Sequence, residues 1–539
     1  MGDPPFLLCC CAENVRTDAA LPLPLHRTHL PTSGVQFCVR TRRPGFVPPT
    51  QLGLKTWPKE LVPGHDRMGN ASKLTRRTRM RAAKRRWNTA WCRRGAAGAR
   101  ELAPQQRAVA TGGTPRAMPR SVLSTARIVG HGMTPLGRLG VPSSTLMQRA
   151  LDRALLSAGL AVSDLDGLIA VPSLADPHFM EAHYLATRVG ILPGSTDRSA
   201  VTVRTIDTGG AGPVSGMLEA ARMVRSGYNA VAVVAGDAVA SLDSAEFLRR
   251  ADATCQPPDL SLPSPAIPAG YDRVAQWQME SGRVSREQLA MCSALMSRQA
   301  SRHPLALTRE PRTLAQILEA PSVAPVTGLL ECARRADGGA AIIVASSDFM
   351  DSRLGHDSVS SSSGVAAAAL GPFAASGGVV VLGGGEASGP LYPPPRIDAA
   401  MFSCEQATRA AFSEAQLRPS DIDWFGLYDC FPICFLRAVE ACGLAERGEG
   451  GRWVEEKYEL THSDAYSPAD FPVNTHGGLM GFGAPWEVPA MYSIIEACEQ
   501  LSGNAGPERQ VPGARRALVY GNGGIFSHSA VGILASPVD

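Results

Sequence analysis

Two rhythms alternate along most of the chain. Over residues 146–160 apolar side chains recur at helical spacing, and Gly159 supplies a stop signal. Leu168, Ile169, Ala170 and Val171 then form an unbroken apolar run, which predicts a buried strand. The alternation returns further on. Residues 217–225 read as a helix that closes at Gly227, and residues 230–235 (AVAVVA) as a buried strand ended by Gly236 and Asp237. Residues 340–345 and 379–382 are two more apolar runs of strand length. Strands apolar throughout, separated by helices, predict an α/β domain whose parallel sheet is covered on both faces.

The pattern is also duplicated. Residues 150–166 read ALDRALLSAGLAVSDLD, and residues 407–423 read ATRAAFSEAQLRPSDID. Ala150, Ala154, Ala158, Leu160, Ser163, Asp164 and Asp166 all recur at an offset of 257. A helix, a Ser-Asp-x-Asp corner and a strand are thus used twice. Residues 220–227 (AARMVRSG) are echoed by residues 495–503 (IEACEQLSG), so one αβ half-unit is expected to occur twice.

Charge separates the first part of the chain from the rest. Residues 1–117 hold 21 Lys and Arg against 6 Asp and Glu; the remaining residues hold 32 against 43. A basic leader therefore precedes a mildly acidic body, which lacks the positive surplus that nucleic acid would require. The leader mixes prolines with the block KLTRRTRMRAAKRRW at residues 73–87, and such a segment buries too little apolar surface to fold. It reads as a mitochondrial presequence, as an upstream stretch outside the mature protein, with Met118 as its start, or as a nuclear or nucleic-acid patch. A mitochondrial location is the expectation, with cytoplasmic or peroxisomal as alternatives; the C-terminal Ser-Pro-Val-Asp is not the Ser-Lys-Leu address. Thirteen cysteines follow no disulfide spacing. No apolar run approaches the ~20 residues of a membrane span, and no metal site is expected.

Four segments, in order, carry a resemblance. Residues 203–237 form a strand, a glycine-rich turn, a helix and a second strand. Residues 302–346 run from an Arg-rich loop back into a buried strand at Asp337. Tyr428, Asp429, Cys430 and Phe431 spell YDCF. Residues 473–489 read VNTHGGLMGFGAPWEVP. Together they resemble the thiolase family, in its branch of sterol-carrier-protein-type thiolases and thiolase-like proteins. YDCF matches the branch motif H-D-C-F at three of four positions. Asn474, Gly477, Gly478, Gly483 and Pro485 match N-x-x-G-G-x-x-x-x-G-H-P, with Ala484 at the histidine position. The resemblance covers roughly residues 121–538. It implies a five-layered αβαβα fold: a first half at residues 118–375 with a loop domain over about 246–335, and a second half at residues 376–539. It also implies acyl-CoA thioesters as substrate or ligand, no bound cofactor, and a homodimer.

The chemistry departs from that pattern. Thiolysis needs a thiolate at a helix N-terminus. The equivalent turn here is Thr208, Gly209, Gly210, Ala211, Gly212, and it has no cysteine. Thr208 is its one side chain able to attack, while Asp207 is expected to cap the helix. Ala484 cannot donate to an oxyanion. The late C-x-G motif is replaced by Tyr520, Gly521, Asn522, Gly523, Gly524. Cys430 is retained, and the resemblance gives it a part in proton transfer at the substrate α-carbon, with Asp429, Asn474 and His528 as further catalytic candidates. Tyr428, Phe431, Gly477, Gly478, Ala484, Gly523 and Gly524 are expected around the pocket. Arg249, Arg250, Arg273, Arg298, Arg302 and Arg309 are candidates to meet CoA phosphates. The leading expectation is a thiolase-like protein that binds acyl-CoA without ordinary thiolase turnover. An acyltransferase that works through Cys430 and a non-catalytic interaction subunit are the alternatives.

Overall fold

The computed structural model describes residues 126–192, 200–357, 370–463 and 465–537, with the side chains of 354–357 excepted. The expected leader, residues 1–117, lies outside the described residues.

Nine strands form one sheet: β1 (Ala126–Met133), β2 (Gly167–Ala170), β3 (Thr202–Thr205), β4 (Ala230–Ala238), β5 (Asp337–Ser346), β6 (Val379–Ser388), β7 (Trp424–Leu427), β8 (Arg516–Gly523) and β9 (His528–Ala535). Their order is β3-β2-β4-β5-β1-β6-β9-β8-β7. The helices that matter for the site are α1 (Ser143–Ala158), α2 (Gly212–Arg225), α3 (Ser244–Thr254), α4 (Ala266–Glu280), α5 (Arg286–Ala300), α6 (Cys404–Ala415), α7 (Pro432–Ala441) and α8 (Pro489–Leu501).

The sheet is mixed rather than parallel. Pairs β2–β3, β2–β4 and β7–β8 run parallel, while β4–β5, β1–β5, β1–β6, β6–β9 and β8–β9 run antiparallel. The apolar runs reported burial on both faces correctly, but burial does not fix strand direction. Between β8 and β9 only residues 524–527 intervene, and so short a connection can only turn back on itself.

The duplication is visible in the bonding. The corner after α1 is a 3-10 turn, Val162–Asp164, and the corner after α6 is its counterpart, Pro419–Asp421. The Asp166 carboxylate accepts from the backbone N–H groups of Asn229 and Ala230 at the start of β4. Asp423 accepts from those of Arg515 and Arg516 at the start of β8. The sheet order mirrors itself accordingly: β2-β4-β5-β1 in one half faces β6-β9-β8-β7 in the other.

Helices α2 and α8 touch each other, and each touches strands of the other half as well as its own. They form the central layer. Alternation along the strands supports this: Ile169, Val231, Val233, Ile342 and Val344 join the large central core, whereas Leu168, Ala232, Val234, Ala341 and Ile343 join a second core with α1. On the far side α6 lies against β6 and β9. The layers are therefore helix, first half of the sheet, helix, second half of the sheet, helix. No described helix is long and apolar enough to cross a membrane.

Candidate functional site

A cavity of about 670 Å³ lies where the two halves meet, roofed by α3 and α4. Its walls are largely apolar, with Leu174, Val239, Leu248, Ile267 and Leu391 among them. Two glycine turns make the floor: residues 207–210 at the approach to α2, and residues 522–524 at the end of β8. They close backbone to backbone. A Cβ on Gly523 would lie 1.9 Å from the Thr208 carbonyl oxygen, and one on Gly209 2.9 Å from the Gly523 Cα. Gly209 and Gly524 also hold φ of 60° and 58°, a region that favours glycine.

Gly210 is glycine for a different reason. A Cβ there would lie 2.0 Å from the Tyr428 hydroxyl oxygen. Tyr428 fills the space that any side chain at this turn position would need. Thr208 remains, but its Oγ1 donates to Ser215 Oγ at 3.2 Å, and among the described residues no base is hydrogen-bonded to it directly. The expected cap is absent: no side chain caps the 3-10 turn or α2, and Asp207 is exposed along the cavity wall.

Cys430 and Phe431 line the cavity together with Tyr271 of α4. Tyr271 stacks on Phe431 with ring centroids 4.7 Å apart. Its hydroxyl donates to the Gly524 carbonyl at 2.6 Å and accepts from Asn522 Nδ2 at 2.7 Å. Burial holds Tyr271 well above the usual tyrosine range, and the nearby Cys430 and Cys434 add to the effect. Tyr428 is raised in the same way, by burial first and then by Cys430 and Cys434. These hydroxyls stay protonated, so at neutral pH they act as hydrogen-bond donors or acceptors, not as bases.

Asp429, Asn474, Gly477 and Gly478 do not line the cavity; they shape the loop behind it. Asp429 accepts from the N–H groups of Leu479 at 2.8 Å and Met480 at 3.3 Å, and burial outweighs these bonds to push its pKa up to about 7. Asn474 clamps the end of β7, accepting from Leu427 N and donating to Leu427 O, both at 2.7 Å. A Cβ on Gly478 would lie 2.3 Å from the Asp429 carboxylate. Beneath this loop, Thr475 donates to Glu496, and Arg509 pairs with Glu496 and Glu499. His303 brings a ring nitrogen within 4.8 Å of those two glutamates, so the three could hold a cation, but Arg509 is already paired with both acids.

Ala484 and His528 both reach the cavity. His528 Nδ1 lies 2.9 Å from Ser388 Oγ, and its Nε2 is 3.6 Å from Glu386 Oε1. Burial would raise Glu386, but His528, Ser215 and Arg222 outweigh it and bring its pKa down to about 2. His528 therefore faces a permanent carboxylate. Most of the loop arginines are engaged within the chain. Arg249 and Arg250 pair with Glu246, Arg273 donates to the carbonyls of Pro393 and Pro394, Arg302 lies over Tyr466, and Arg309 donates to the His303 carbonyl.

Three cavity residues had no part in the sequence reading. Tyr271 carried no signal, since only tertiary packing brings α4 over the floor. Arg335 lines the wall, stacks over Phe247 at 4.7 Å, and leaves its Nη1 without a partner. Glu487, three positions after Ala484, also opens on the cavity. Its signal was available: an acid inside the otherwise apolar, proline-flanked run APWEVP.

Residues 395–536 match the family described as thiolase C-terminal domain-like. An acetyl-CoA acetyltransferase of Methanothermobacter thermautotrophicus is 29% identical over 422 residues, covering 76% of this chain and 98% of that protein. The chain belongs to the thiolase superfamily. Its place is in the sterol-carrier-protein-type branch: bovine sterol carrier protein 2 is 27% identical over 266 residues, 48% of this chain and 44% of that protein. This thiolase-superfamily chain also shares its fold with a solved Ltp2–ChsH2(DUF35) aldolase, with a TM-score of 0.60 at 22% identity, over 77% of this chain and 98% of that one.

Proposed function

We propose that this thiolase-superfamily protein binds an acyl-CoA thioester in the cavity without forming an acyl-enzyme at the α2 turn. One observation carries the reading: Tyr428 occupies the space at Gly210, and a methyl stands at 484, so neither of these two positions offers a thiolate or an imidazole. The apolar walls suit an acyl chain. Tyr271 and Cys434, the neighbours of Cys430, are held protonated by burial and do not serve as its base.

Calorimetry of the purified protein with octanoyl-CoA, beside an acetoacetyl-CoA thiolysis assay, tests this reading. Micromolar binding of the thioester without thiolysis at thiolase rates is expected. Failure of octanoyl-CoA to bind, or rapid thiolysis, would overturn it.

A second reading has its own support. The hydroxyl donors around the floor suit holding a carbonyl oxygen, His528 on the cavity wall is a candidate base, and the fold relative named above is an aldolase. In an aldol-type cleavage a base removes the proton of a β-hydroxyl and the Cα–Cβ bond breaks to leave a carbonyl. The electron pair passes to a thioester enolate, which then takes a proton at Cα. Release of an aldehyde or ketone from a β-hydroxyacyl-CoA would distinguish this reading from binding alone. A homodimer is part of the same proposal. Strand β3 ends the sheet, and size-exclusion chromatography with light scattering tests the pairing.

A further inference from the structure

The turn at residues 484–487 is built to deliver one acid to the cavity. Trp486 holds φ of 50°, a left-handed conformation that costs a non-glycine residue on the order of 1 kcal/mol. Its ring meets Phe247 edge-on at 5.9 Å, which anchors the turn against α3. Glu487 follows, and Pro489 then opens α8. Glu487 lines the cavity and is only half-buried, while its Oε2 is closed off and has no hydrogen-bond partner among the described residues, so a ligand can meet the carboxyl at its other oxygen.

The groups acting on it are acidic or neutral. Asp207 comes from the approach to α2, Asp237 from β4, Tyr428 from the end of β7, and Trp486 from its own turn. Burial first, then Asp207 and Asp237, hold the carboxyl well above the usual range. Arg335 lines the same cavity, but its Nη1 is likewise unpartnered. A neutral carboxylic acid carries an O–H that needs an acceptor. The described residues supply none at Oε2, which favours the proton on the other oxygen, towards the cavity. Ala484, which offers only a methyl, opens on the same cavity.

We propose that Glu487 donates the hydrogen bond to the carbonyl oxygen of a bound acyl thioester, a role that Ala484 cannot perform. This rests on the reading of the cavity as a thioester site. The acid is neutral before and after donation, so it stabilises charge that develops on the oxygen without a buried counter-ion.

Infrared difference spectra of the full chain with octanoyl-CoA, labelled with ¹³C at the carbonyl, test the proposal. In the wild type the thioester carbonyl band moves to lower wavenumber on binding. In Glu487→Ala it returns towards the free position, and binding weakens about three- to tenfold. Glu487→Gln keeps an N–H donor of the same shape and retains part of the band shift. Circular dichroism checks the fold of both variants; if the alanine variant fails to fold, the wild-type band and the glutamine variant decide. A wild-type complex with an unshifted band, or a full shift surviving in Glu487→Ala, overturns the proposal and leaves the cavity reading intact. A wild type that does not bind octanoyl-CoA removes both.

Discussion

At the scale of single residues, the floor is decided by what cannot be added. Gly210 faces the Tyr428 hydroxyl and also the Asn522 carbonyl oxygen, which an added Cβ would approach to 2.5 Å. That oxygen belongs to the backbone and cannot swing aside. Gly210→Ala is expected to lower unfolding stability by about 1–3 kcal/mol, measured by urea denaturation. Two buried aspartates set a pH response. Burial raises Asp429 to about 7 and Asp237 to about 6, from ordinary values of 3.8. The native state then holds protons that the unfolded chain has released. Their contribution to stability is full below about pH 4 and is lost as pH rises through 6 to 7. Asp429→Asn is expected to show a flatter urea midpoint than wild type between pH 4 and 7. At this scale the sequence was only partly readable. The empty histidine position at Ala484 followed from the resemblance of residues 473–489 to the family motif. Tyr271 could not be read, because its place depends on what is packed beside it.

Elements proved more legible. The helix, Ser-Asp corner and strand were readable twice because every part of that unit is local: apolar periodicity, a corner acid and a short apolar run. The structure adds what the acids do. Asp166 and Asp423 each hold the first N–H groups of a neighbouring strand, β4 and β8. Asp166→Ala and Asp423→Ala are expected to cost similar amounts, each about 1 kcal/mol, in chemical denaturation. A large inequality would show that the two corners are not equivalent. The pairing direction of the strands was not readable, since β1, β5 and β6 find each other across long stretches of chain.

For the whole molecule, the central layer governs cooperativity. Twelve of the thirteen residues of α8 are buried, and α8 touches both α2 and strands of the first half. Residues 376–539 expressed alone would expose that helix to water. They are expected to aggregate or to lack near-ultraviolet circular dichroism, while the full chain unfolds in one transition. The floor of the cavity has a further consequence. One turn comes from each half, and both turns present backbone rather than side chains at their contact. Any substitution at the glycines of these turns adds atoms where none fit, so the outline of this chamber is held fixed by the cost of changing it. The groups that hang from its walls at 428, 484 and 487 are freely exchangeable by comparison. Such a chamber can change its trade while keeping its shape.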